Sequence, residues 1–103
     1  MSLLQVSHFA AVAATDGDWL IASGELDMVT APHLAMELEL NDYDGVDLDA
    51  VTFMDVSGLR VLLTAARNAE AEGRRFAVAR PRPLIRRLLE LTAIDQSLDI
   101  VGD

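Results

Sequence analysis

Apolar and polar residues alternate loosely from Leu4 to Ala13, which predicts a first strand. Thr15-Asp16-Gly17-Asp18 follows, with the Asp-Gly pair of a tight hairpin turn, and Trp19 to Ser23 resumes the extended pattern. The two segments are expected to pair as an antiparallel hairpin, with Gly24 ending the second strand. Thr30 suits a helix N-cap and Pro32 is tolerated in a first helical turn. Leu34, Ala35 and Leu38 then form a short apolar stripe that ends near Asn41. Tyr43 to Leu48 predicts a third strand, with Val46 and Leu48 on one face and Asp47 between them.

The second helix is the best defined. From Ser57 to Glu72, Leu59, Leu62, Leu63, Ala66 and Ala69 or Glu70 recur at helical spacing, and Gly73 is a natural residue just past its end. Phe76 to Ala79 predicts a fourth strand. Pro83 suits the first position of a third helix, whose buried stripe is expected to be Leu84, Ile85, Leu88 and Leu89. Ile94 and Leu98 to Val101 offer a last short strand. The order is β-β-α-β-α-β-α-β. Strands alternating with amphipathic helices after an opening hairpin predict an α/β fold, a small mixed sheet with helices packed on it.

Between the third strand and the second helix lies the segment with the most chemistry. The apolar run Val51 to Met54 ends abruptly in Asp55; Ser57 and Gly58 follow. A strand that runs into a helix start leaves its turn beside free backbone N–H groups and the positive end of the helix dipole. A hydroxyl there is accessible, and a phosphate on it would be held by those groups. From the residues alone, Ser57 is either such a modification site or a first-turn serine of the helix. Asp55 is either the helix cap or a polar partner that positions the Ser57 hydroxyl. A phosphoaspartate role for Asp55, as in response-regulator receivers, would need an acidic cluster ending the first strand and a later basic residue on another strand end. The chain has one acid there, Asp16, and no lysine.

The run Val51-Thr52-Phe53-Met54-Asp55-Val56-Ser57-Gly58-Leu59 resembles the signature of bacterial anti-sigma factor antagonists, which are single STAS domains. Gly24-Glu25-Leu26-Asp27 with Thr30-Ala31, Val46-Asp47-Leu48, and Pro83 to Thr92 with Ile94-Asp95 match the same family in order. The resemblance implies one STAS domain over residues 1–103, a STAS-like fold with a small mixed central sheet and helices mainly on one side. It places Ser57 at the family's phosphoacceptor position. It also implies a partner-facing surface of Asp27, Asp55, Val56, Ser57 and Gly58. The partner implied is an anti-sigma factor that is also a serine kinase. The unphosphorylated protein binds it, phosphorylation of Ser57 releases it, and a metal-dependent serine phosphatase resets the switch. An alternative within the same resemblance is a cytoplasmic STAS accessory subunit of a lipid or anion transport complex. The chain departs from the family pattern in its short first helix, in Val56 where a second hydroxyl is common, and in its end at Asp103, which leaves no C-terminal helix.

Composition narrows the partners. The 103 residues carry a formal net charge of −9, which disfavours nucleic acid and anionic membrane and suits a basic protein partner. Every one of the eight cationic residues is arginine, which reads as coding bias. There is no cysteine, so disulfides and thiolate metal sites are excluded. Apolar runs are too short for a membrane span and no secretory signal is visible, so a cytoplasmic location is expected. No cofactor, metal or catalytic set is expected. His8 and His33 lack ligand spacing, and Asp47 with Asp49 reads as a solvated strand face. Arg80, Arg82, Arg86 and Arg87 read as a solvated helix face or as a contact for a ligand or acidic partner.

Overall fold

Nine elements make up the described part of the chain: β1 (Leu3–Val6), β2 (Phe9–Ala13), β3 (Trp19–Leu26), α1 (Ala31–Leu40), β4 (Gly45–Met54), α2 (Val56–Ala71), β5 (Ala77–Ala79), α3 (Pro83–Leu91) and β6 (Asp99–Val101). They come from a computed structural model that describes residues 3–6, 9–13, 19–91 and 98–102. The expected turn at Thr15-Asp16-Gly17-Asp18, and the contributions of His8, Thr92, Ile94 and Asp95, lie outside those residues.

One six-stranded sheet runs in chain order from β1 to β6. β1, β2 and β3 pair antiparallel, and β3 to β6 pair parallel, so the sheet is mixed. Each parallel step is bridged by a helix. Crossovers of this kind are nearly always right-handed, and successive steps here advance in the same direction across the sheet. All three helices therefore fall on one face. Burial agrees: Leu20, Ala22, Val46, Leu48 and Val78 of the sheet form one core cluster with Leu34 of α1, Leu59 and Leu62 of α2, and Ile85 and Leu89 of α3. Burying each large side chain contributes about 1.5–3 kcal/mol.

Several expectations need correction. The segment Leu4 to Ala13 is not one strand but two antiparallel ones, β1 and β2. Gly24 does not end its strand. β3 runs through it to Leu26, and Gly24 takes φ 89° at an irregularity in the ladder, where glycine carries no steric penalty. Leu84 is not part of the buried stripe. It is 84% exposed, and only Ile85 and Leu89 of α3 are fully inside. The strand expected over Tyr43 to Leu48 and the apolar run Val51 to Met54 are one strand, β4. Its ten residues oppose the eight of β3 because the register slips twice, each time with one extra residue on β4. Buried positions on β3 are Leu20, Ala22 and Leu26; on β4 they fall at Val46, Leu48, Val51 and Met54. Two bulges thus turn a spacing of two into spacings of three, and both strands keep one face to the core.

α2 ends as its sequence predicts. Gly73 adopts φ 73°, and the Arg74 N–H closes back on the Ala69 carbonyl at 2.8 Å. Among the described residues no helix is long and apolar enough to cross a membrane.

Candidate functional site

Two strand ends build the site. β3 and β4 are parallel neighbours that finish level with each other, Leu26 opposite Met54. Each hands over to a helix through an aspartate, Asp27 on one and Asp55 on the other. The Asp55 N–H donates to the Leu26 carbonyl at 3.1 Å, which ties the two turns side by side.

Asp55 is the N-cap of α2. Its backbone is extended (φ −115°, ψ −170°), and its carboxylate oxygen Oδ1 accepts the N–H of Ser57 at 2.8 Å and of Gly58 at 3.4 Å. Its carbonyl accepts the Leu59 N–H at 3.1 Å. A carboxylate here satisfies orphan donors and faces the positive end of the helix dipole. Two of the N–H groups expected to cradle a phosphate on Ser57, those of Ser57 and Gly58, therefore already donate to the Asp55 carboxylate. Ser57 itself is half-buried in the first turn, and its hydroxyl takes no hydrogen-bond partner among the described residues. Val56, beside it, is 58% exposed.

Gly58 is fixed by closeness. A Cβ there would sit 2.8 Å from Met54 Cγ and 3.1 Å from both the Cβ and the carbonyl oxygen of Leu26. A side chain there would require Met54 and the end of β3 to give way, so glycine lets the helix start descend onto the ends of both strands.

Asp27 repeats the arrangement one strand over. Its Oδ1 accepts the N–H of Val29 at 2.9 Å and of Thr30 at 3.1 Å, while its carbonyl accepts the Ala31 N–H at 2.8 Å. Asp27 thus caps the turn that leads into α1. Thr30, expected to be the cap, makes no capping bond through its side chain. It is fully buried, donates its hydroxyl to the Glu25 carbonyl at 2.7 Å, and accepts the Asp27 N–H at 3.0 Å. It knots the end of β3 to the turn.

The capped turn holds Met28 and Val29 outward, 75% and 67% exposed. These two residues were missed in sequence reasoning. Their signal was an apolar pair placed in a strand-to-helix turn, where polar residues are the rule. Asp27, Asp55, Val56, Ser57 and Gly58 all lie at this one end of the sheet, together with Met28 and Val29.

The basic cluster lies lower on the sheet. Arg80 follows β5, which ends level with Asp47 of β4. Its guanidinium meets the Asp47 carboxylate at 2.6 Å and approaches Asp49 at 4.0 Å, and Arg82 donates to the Asp49 carbonyl at 2.7 Å. The hydrogen bond to Asp47, then its charge, raises the Arg80 pKa above its ordinary value. Asp47 and Asp49 thus hold the arginines rather than forming a bare acidic face. Among the described residues no group of three or more histidines and acids is placed to hold a metal.

No curated protein sequence matches the chain. Solved structures do. An anti-sigma factor antagonist from Mycobacterium paratuberculosis shares 28% identity at a TM-score of 0.78, over 94% of this chain and 89% of that one. SpoIIAA shares the fold in two forms. Its unphosphorylated form has 17% identity and a TM-score of 0.69, over 92% of this chain and 87% of that one. The phosphorylated Bacillus protein has 17% identity and a TM-score of 0.66, over 92% and 90%. The family model described as "Mlab, STAS domain" matches residues 10–102. The chain belongs to the STAS-domain family.

Proposed function

We propose that this protein is an anti-sigma factor antagonist, a regulatory binding module whose grip on an anti-sigma factor is controlled by phosphorylation of Ser57. The observation that carries this reading is the place of Ser57. It has an unengaged hydroxyl in the first turn of α2, next to exposed Val56 and at the same sheet end as the Asp27 turn with exposed Met28 and Val29. Exposed apolar residues at the same end as a hydroxyl suit a protein surface that closes over it. The 28% identical relative, an anti-sigma factor antagonist, supports the same reading.

In the proposed cycle the unphosphorylated protein binds an anti-sigma factor that is also a serine kinase. Sigma factor is thereby displaced. The kinase transfers the γ-phosphoryl of ATP to the Ser57 oxygen, the hydroxyl proton leaves, and ADP departs. The new group adds about −1.5 to −2 charges at neutral pH. Asp55 already holds two of the helix-end donors, so the phosphate meets a carboxylate rather than an open anion site. Its charge is driven outward into the interface, and the complex separates without a change of fold. A metal-dependent serine phosphatase restores the hydroxyl. Asp27, Asp55, Val56 and Gly58 contribute the contact surface, and the cytoplasm is the compartment.

A second reading, an accessory subunit of a lipid or anion transport complex, is favoured by the outer face of α1, where Met36 and Leu40 are 60% and 74% exposed. Such a subunit docks through helix surfaces and is indifferent to Ser57. Incubation with the candidate kinase and ATP, followed by mass-spectrometric site mapping, tests the first reading. Phosphate on Ser57 alone is expected. Phosphate on Thr52, Thr64 or Ser23 instead, or on no residue, contradicts it.

A further inference from the structure

The water-facing side of α1 is mixed: Met36 and Leu40 stand there with Pro32, His33 and Glu39. A surface helix normally keeps that face polar. Here Met36 and Leu40 stand out from it, exposed by 60% and 74%. Each is one step around the helix from Ala35 and Glu39, which line a cavity of about 500 Å³ between α1 and α2. Leu38, Val61 and Ala65 are half-buried in its floor. Along α2 the groove runs from Arg60 to Glu72, about 18 Å at the helical rise. That length corresponds to about three helical turns.

The charges are ordered along the groove. α1 and α2 both leave the same end of the sheet and run back along it, so they are parallel and their dipoles add. At the lower end, Glu39, Asp42 and Glu72 line the cavity against one cation, Arg74. Arg74 is already held by Glu72 and by Asp42 at 3.6 Å, and its pKa is raised chiefly by the hydrogen bond to Glu72. Neither helix has a basic residue in its last turn. Acids at the negative end of two parallel dipoles are unfavourable within this chain alone. The upper end carries Arg60.

We propose that the groove between α1 and α2 is a second protein-docking site, for an amphipathic helix of a partner that lies antiparallel to both. Its apolar stripe covers Leu38, Val61 and Ala65, and exposed Met36 borders the seat. Its N-terminal turns, bearing lysine or arginine, sit against Glu39, Asp42 and Glu72, where its own positive end also belongs. The site goes beyond the Ser57 switch and does not use it. It serves to keep a partner in reach while the Ser57 surface engages and releases.

A displayed library of amphipathic helices of about 16 residues, with apolar positions fixed and charges randomised, tests this against the intact protein. Enriched peptides are expected to carry basic residues in their first two turns, and NMR shift mapping is expected to place them on Leu38, Val61 and Ala65. Glu39→Lys, at an exposed position in the acidic end of the groove, should weaken those peptides about tenfold or more, as a like-charge juxtaposition does. Ala65→Arg should block them, and Ser57→Asp should leave them within about twofold, inside the scatter of an uncoupled site. Failure to enrich any peptide, enrichment without the charge bias, or mapping to another surface overturns the proposal. A dimer in sedimentation that buries Met36 and Leu40 overturns it in favour of a second copy. The site-mapping outcome at Ser57 is independent of all these results.

Discussion

One carboxylate oxygen of Asp55 holds two N–H groups of the first turn of α2, and the same oxygen sets the electrostatic conditions for Ser57. Asp55→Ala should cost about 1 kcal/mol, the worth of an N-cap. The shift in denaturant midpoint measures it; an unchanged midpoint would mean that the cap carries no stability. Gly58→Ala tests the closeness of the same turn. Its Cβ would need the Leu26 carbonyl, 3.1 Å away, and Met54 to move, so a loss of about 1–3 kcal/mol is expected. Equal stability of the alanine variant would show that the strand ends yield.

At the scale of elements, α2 and α3 differ in what their apolar residues do. Leu62 is fully buried, and Leu62→Ala should cost about 2–5 kcal/mol. Leu84 is 84% exposed, and Leu84→Ser should stay within about 0.5 kcal/mol in the same denaturant series. α2 was legible in the sequence because sixteen residues repeat a clear stripe between a cap and a glycine. α3 was legible as a helix, but four leucines and isoleucines in six residues, Leu84 to Leu89, gave two possible faces, and periodicity alone could not choose between them. β4 was harder for a different reason. Its two bulges shift the phase of burial after Leu48 and again after Val51, so the period-two pattern breaks although the strand continues. Bulges depend on the pairing partner, which no local pattern records. The strand-to-helix turn at Asp55, Ser57 and Gly58 was visible in the chain; its occupation by Asp55, and the neighbouring Asp27 turn with Met28 and Val29, required the pairing of β3 with β4.

Across the described molecule, one end of the parallel part of the sheet gathers two capped turns, a free hydroxyl and exposed apolar residues. The opposite end of the helix layer gathers acids. The separation suits a protein that holds a partner in two places and lets charge act at one of them. The most direct measurement is the affinity of the purified anti-sigma factor for wild type, Ser57→Ala and Ser57→Asp, titrated at two salt concentrations. Ser57→Ala should bind like wild type and resist release by ATP. Ser57→Asp should bind more weakly, but only in part, because it carries about one charge against the phosphate's nearly two. Higher salt should shrink the difference, since exposed charges are screened over about 10 Å at 0.1 M. Equal affinity of wild type and Ser57→Asp, or an equal loss with Ser57→Ala, would contradict a charge switch at Ser57.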